Sequence, residues 1–132
     1  MFFKNSSTWL GQGLITFRGI RAPVPFYTRW IVKEKIKQEV EIKGYIEKQI
    51  NIYTISEELV VTLENAEIGL WQGIGQVKGN ILLWELTSED QSLKGEEYFI
   101  QLENGRIQTN AYFRDSEGIY TFVKGEIWEV IK

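Results

Sequence analysis

Two glycine-rich stretches have the spacing closest to a chemical motif in this chain. Residues 9–13 (WLGQG) and 71–75 (WQGIG) both read Trp-x-Gly-x-Gly. Paired glycines can cradle a phosphate when they follow a strand and open a helix, whose N–H groups then face the anion. The residues after Gly75 instead continue a strand-like alternation and match no nucleotide fingerprint. We therefore interpret the glycines as structural, in strands that bend sharply or approach a neighbour closely.

Acidic residues are the second candidate for chemistry. Two carboxylates facing each other across a cleft would suit glycoside hydrolysis. Many of these residues alternate with lysines, which is typical of solvated strand faces. This pattern disfavours catalysis by a carboxylate pair and leaves a single buried glutamate as an open alternative. The acidic residues considered are Glu34, Glu39, Glu41, Glu57, Glu58, Glu96, Glu97 and Asp115.

Two arginines stand next to aromatic residues. They are Arg29, within residues 26–30 (FYTRW), and Arg114, within residues 111–115 (AYFRD). An arginine inside a barrel could hold a ligand carboxylate in a bidentate fork. An outward arginine would instead stack on Tyr27 or Tyr112, and this second interpretation is the favoured one.

The composition excludes several function classes. The chain has no Cys and no His, so it has no disulfide, no thiolate or imidazole metal site, and no Ser-His-Asp triad. The net charge of −3 argues against nucleic acid and anionic membranes as partners. The sequence shows neither a signal peptide nor a membrane span, which predicts a cytoplasmic location. It indicates no metal and no cofactor.

The elements that would position these residues are strands, because the hydrophobic period is two rather than 3.6. Asn104-Gly105 lies between two alternating runs and is a strong hairpin signal. A short helical turn is conceivable at residues 19–25 or 88–94. The predicted strands are 8–18, 26–34, 36–44, 46–55, 58–64, 68–78, 81–87, 96–103, 106–114 and 119–130.

These strands predict the fold class. Residues 1–132 form one domain, all-β, and closing the meander would remove both exposed edges. We expect a single antiparallel up-and-down β-barrel of about eight to ten strands, as strand counts of closed barrels allow. A β-sandwich is the alternative.

The opening of the chain resembles known barrels. Ser7-Thr8-Trp9 resembles the Gly-x-Trp start of the first lipocalin strand, with Ser in place of Gly. Residues 9–13 followed by Pro25-Phe26-x-x-Arg29-Trp30 are similar to the opening of nitrobindin-like haem-binding barrels, and the length matches fatty-acid-binding proteins. The resemblance implies a calycin barrel. It does not imply haem, because the chain has no His to bind it.

The predicted function is non-enzymatic binding of a small apolar or amphipathic ligand inside the barrel. The alternative is a protein-interaction or structural module with a filled core. An enzyme using carboxylates or tyrosines at the barrel mouth is ranked last. Trp9 and Trp71 are assigned to the core, and the oligomeric state is left open. The predicted ligand-binding residues are Phe26, Arg29, Trp30, Trp84, Tyr112 and Arg114, with Arg114 or Arg29 as the polar anchor.

Overall fold

The computed structural model describes residues 3–130, which form ten antiparallel strands. Each strand overlaps one of the ten predicted from the sequence, so the all-β prediction is confirmed. The strands are β1 (Ser7–Phe17), β2 (Val24–Val32), β3 (Ile36–Ile42), β4 (Gln49–Ile55), β5 (Val60–Asn65), β6 (Gly69–Lys78), β7 (Ile81–Ser88), β8 (Lys94–Gln101), β9 (Ile107–Asp115) and β10 (Gly118–Glu129).

The strands close into a barrel in chain order. Each strand pairs with the next, and β1 also pairs with β10, with Gly13 opposite Gly125. This is the predicted up-and-down barrel rather than a sandwich, and its closure leaves no strand edge unpaired.

Short connections join the strands, and the hairpin turn predicted at Asn104-Gly105 is present. Gly105 adopts φ 85° after Asn104, and its N–H donates to the carbonyl of Leu102 at 3.0 Å. This left-handed conformation favours glycine, because a side chain there clashes with the backbone. The residues suggested as helical turns are not helical: residues 24–25 begin β2, and residues 88 and 94 belong to β7 and β8. No α-helix long and apolar enough to cross a membrane occurs within residues 3–130.

The glycines of the two Trp-x-Gly-x-Gly motifs allow neighbouring strands to approach closely. A Cβ on Gly13 would lie 2.2 Å from the carbonyl oxygen of Lys124, and one on Gly73 would lie 1.5 Å from that of Glu85. No helix follows either motif. The motifs occupy β1 and β6, which lie on opposite sides of the ten-stranded ring. These contacts support the structural interpretation of the glycines.

The interior is packed unevenly along the barrel axis. One half holds a dense aromatic and aliphatic cluster that includes Trp9, Trp30 and Phe99. Phe3 closes this half, because its ring stacks on Trp30 at 5.6 Å and meets Trp9 and Phe99 edge-on. A smaller cluster around Phe26 occupies the other half.

Candidate functional site

The barrel contains an interior cavity of about 240 Å³. Its lining includes Phe17 and Ile42, the last residues of β1 and β3, and Ile68, just before β6. The cavity therefore extends toward the barrel end at which these three residues lie. At the opposite side it meets the dense aromatic cluster, through Trp30 and Phe99.

One part of the cavity wall is apolar. Ile15, Phe26, Val40, Ala111 and Val123 all line it, from β1, β2, β3, β9 and β10. Alternate residues of a strand face the same side of the sheet. These five residues occupy the inward positions of their strands. An apolar wall of this kind accepts a hydrocarbon body, because burial of that body removes apolar surface from water.

A row of hydrogen-bonded polar side chains crosses another part of the wall, through β2, β3, β4 and β5. The Gln38 amide donates to Thr28 Oγ1 at 3.3 Å, and the Asn51 amide donates to Gln38 Oε1 at 2.9 Å. The Asn65 amide donates to Asn51 Oδ1 at 2.7 Å, and Asn65 Oδ1 accepts from the backbone N–H of Glu67 at 2.8 Å. These bonds hold the polar groups in place on a wall that also faces the cavity.

Glu97 of β8 brings a carboxyl group into the buried lining of the cavity. The side chain is 8% exposed. The hydroxyl of Tyr53 donates to it, at 2.9 Å from Oε1 and 3.0 Å from Oε2, and the indole N–H of Trp84 donates to Oε2. None of the ion pairs among the described residues involves Glu97, and no Lys or Arg of that part of the chain lines the cavity.

Burial controls the ionisation of this group. It raises the pKa of Glu97, because removal from water disfavours the charged carboxylate, while the hydrogen bonds from Trp84 and Tyr53 act in the opposite direction. Burial, together with the neighbouring Glu97, raises the pKa of Tyr53 well above its ordinary value. Tyr53 therefore keeps its proton and acts as a hydrogen-bond donor to the carboxyl group.

Trp30 is a further lining residue with a polar group. Its indole N–H is buried and has no hydrogen-bond partner among residues 3–130. An unpaired buried donor costs about 1–3 kcal/mol in desolvation. A hydrogen-bond acceptor on a bound molecule would relieve this cost if it reached the indole.

The predicted ligand-binding residues fall into two groups, of which the first lies inside the barrel. Phe26 and Trp30 both line the cavity. Trp84 is completely buried within the dense cluster and contacts the site through its hydrogen bond to Glu97. Trp9 and Trp71, assigned to the core from the sequence, are 5% and 0% exposed.

The second group lies on the outer face of the barrel and does not line the cavity, so its members are not placed to bind an interior ligand as predicted. For the two arginines this outward position is the one that the sequence interpretation favoured. Arg29 Nε is 3.6 Å from Glu39 Oε2, and Arg114 forms an ion pair with Glu96. Tyr112 stacks on Phe122, with ring centroids 4.9 Å apart. The alternation of strand residues explains this correction. Arg29 lies between two inward residues of β2, and Tyr112 and Arg114 flank an inward residue of β9.

Glu97 was assigned to a solvated strand face from the sequence, and its alternation with its neighbours could have indicated otherwise. Gly95, Glu97 and Phe99 occupy alternate positions of β8, and Gly95 and Phe99 are buried. Adjacent residues of a strand face opposite sides of the sheet, so one of Glu96 and Glu97 must face inward and the other outward. Because both are glutamates, their residue type does not tell which one is buried. The pairing of Glu97 with Trp84 depends on the register between β7 and β8, which is seen only in the folded sheet.

The remaining acidic residues form no metal site. Within residues 3–130 no group of three or more acidic side chains is arranged to hold a metal ion.

The fold and the site together define a closed ten-stranded antiparallel barrel with an interior cavity and a buried carboxyl group. Comparison with known protein families, curated proteins and solved structures finds no match to this chain.

Proposed function

We propose that this chain is a lipocalin-like barrel of the calycin type, and that it binds a small apolar or amphipathic molecule in its interior. The observation that carries the proposal is the 240 Å³ cavity, with an apolar wall and fixed polar groups. Ligand sites are typically concave and mostly apolar, with a few polar groups that set orientation. For scale, an engineered apolar cavity of about 150 Å³ binds benzene.

A ligand in the cavity would bury its own apolar surface against the apolar wall. Because such a ligand binds only the folded protein, its binding would stabilise the fold.

The other functions considered from the sequence receive less support. A module with a filled core would not need the cavity next to Phe26 and Val40. An enzyme would need a second reactive group beside Glu97, and the Tyr53 hydroxyl is already bonded to both carboxylate oxygens. The predicted cytoplasmic location stays a prediction.

The proposal is tested by titration with three probes that share one hydrocarbon body: phenylbutanol, phenylbutylamine and phenylbutyrate. We expect saturable binding of at least one probe by calorimetry, with amide NMR shifts at Phe26, Val40 and Ala111. The Ala111→Leu variant fills part of the cavity and should weaken that binding about tenfold, the cost of roughly 1.4 kcal/mol of lost contact.

Gln108→Leu is the matched control, because it adds a leucine to the outer face of the same strand, β9. It should bind the probe as the unchanged protein does. The proposal fails if none of the three probes binds saturably. It also fails if Ala111→Leu, shown to be folded, binds as well as the unchanged protein.

A further inference from the structure

The charges around the cavity are unbalanced. Glu97 is the one carboxyl group among the described lining residues, and those residues include no cationic side chain. The two donors that reach Glu97, Tyr53 and Trp84, are both neutral. A carboxylate here is therefore stabilised only by neutral hydrogen bonds, and a bound cation would add the missing opposite charge.

We propose that the cavity takes apolar amines, with the protonated amine bound to Glu97 and the hydrocarbon body lying against the apolar wall. This inference rests on the proposed function and specifies the chemical class of its ligand. It reverses the polarity expected from the sequence, where Arg29 or Arg114 would have bound a ligand carboxylate.

The hydrogen-bonding capacity of Glu97 leaves room for an amine. A carboxylate has about four lone-pair positions for donors. Tyr53 bridges the two oxygens and the Trp84 indole binds one of them. An ammonium group, which has three donors and no acceptor, can use a remaining position, and bonds between charged partners are the stronger ones.

A ligand carboxylate would meet the same sign of charge at the Glu97 carboxylate, whereas an ammonium group would meet the opposite sign.

The unpaired indole N–H of Trp30 does not reverse this preference. It is a single neutral donor that can bind a hydroxyl or carbonyl of a ligand as well as a carboxylate, so an acceptor of any of these kinds would satisfy it. A carboxylate buried close to Glu97 would force one of the two acids to take up a proton, as happens in pairs of carboxylates that share a site. That protonation step weakens the binding of acids at neutral pH.

The three matched probes separate the ligand classes in the unchanged protein. We expect phenylbutylamine to bind roughly ten- to a hundredfold more tightly than phenylbutanol, the factor that a hydrogen bond to a charged group supplies. Phenylbutyrate should bind more weakly than phenylbutanol. If phenylbutanol binds and the amine binds no more tightly, the amine inference fails while the proposed function stands. If phenylbutyrate binds most tightly, the inference is likewise overturned.

The Glu97→Gln variant tests the role of the carboxyl group directly. It should lose the preference for phenylbutylamine and keep its affinity for phenylbutanol, because the amide retains the shape of the site without its charge. Glu85→Gln removes the same charge from an exposed position on the adjacent strand β7, and should leave the preference unchanged. Equal losses in the two variants would indicate a general charge effect and overturn the inference. The comparison within the unchanged protein decides the question even if Glu97→Gln does not fold.

Discussion

The hydroxyl of Tyr53 lies 2.9 Å and 3.0 Å from the two carboxylate oxygens of Glu97, and this contact crosses the interior of the barrel. Tyr53 belongs to β4 and Glu97 to β8, strands that share no backbone hydrogen bonds. The contact therefore joins two separate parts of the wall at the point where the cavity meets the packed aromatic cluster. The stability of the barrel and the proposed preference for amines therefore involve the same pair of side chains.

Removal of the Tyr53 hydroxyl should destabilise the protein. In Tyr53→Phe the buried carboxyl group loses a donor to both oxygens, which costs about 1–3 kcal/mol in the free energy of unfolding. Denaturant unfolding measures this loss. Tyr98→Phe is the control, because its hydroxyl donates to Glu96 at 2.8 Å on the partly exposed outer face. A smaller cost is expected there, and equal costs in both variants would contradict the role given to the interior contact.

The stability difference between Glu97→Gln and the unchanged protein should depend on pH. Because burial raises the pKa of Glu97 in the folded state, folding favours its protonated form. The stability contributed by that form is complete below the ordinary glutamate pKa of about 4.3, and is lost as pH rises from there through the higher folded-state pKa. Thermal unfolding should therefore show the variant gaining stability relative to the unchanged protein as pH rises.

Other titrating groups largely cancel in this comparison, since both proteins carry them. Tyr53, the titratable group bonded to Glu97, has a pKa held well above its ordinary value and keeps its proton throughout this range. Glu85→Gln, which removes a carboxyl group from the exposed face of β7, is the control for the loss of one glutamate charge. A constant stability difference for Glu97→Gln at all pH values would refute the assignment of a raised pKa.

The two glycines of the second motif, Gly73 and Gly75, differ in how closely a neighbouring strand approaches them, so one serves as the control for the other. Gly73→Ala should destabilise the barrel by about 3 kcal/mol or more, because its Cβ would overlap the carbonyl of Glu85 and force β6 and β7 apart. In Gly75→Ala the nearest atom, the carbonyl oxygen of Leu83, is 3.3 Å away, so a smaller cost is expected. Chemical denaturation of both variants checks the order, and the reverse order would show that close strand contact is not what requires glycine at position 73.

The ring of Phe3 should contribute to stability as a core residue does. It is 1% exposed and contacts Trp9, Trp30 and Phe99 at the packed end. Phe3→Ala should cost about 3 kcal/mol in the free energy of unfolding, as in other buried Phe→Ala changes. Ile46→Ala removes a fully exposed side chain and should be close to neutral. A neutral effect of Phe3→Ala would mean that the packed end closes without this ring.

The fold could be predicted from the sequence because its signals are local. Strand alternation and the Asn104-Gly105 turn each act within a few residues, and the structure has strands and a turn at these places. Closure into a barrel followed from the need to satisfy strand edges. None of these inferences requires knowledge of which residues meet across the interior.

The polar part of the site could not be predicted, because it depends on contacts between distant strands. Phe26 and Trp30 were found from their aromatic character alone. Glu97 shares the inward parity of Gly95 and Phe99, but its hydrogen bonds depend on Tyr53, which is 44 positions earlier in the chain, and on its register opposite Trp84. Arg114 shows the opposite case, since its aromatic neighbours suggested a pocket while the parity of its position in β9 directs it outward.

The pairing of β1 with β10 has a consequence for the order of folding. Every other pairing in the barrel joins strands that are consecutive in the chain and needs only a short turn. The β1–β10 seam joins Trp9 to Glu129, so almost the whole chain forms the loop that this contact closes. Closing so long a loop costs entropy before any contact compensates it, which slows folding. During synthesis on the ribosome the seam must wait for the last strand, and until then β1 carries an unpaired edge.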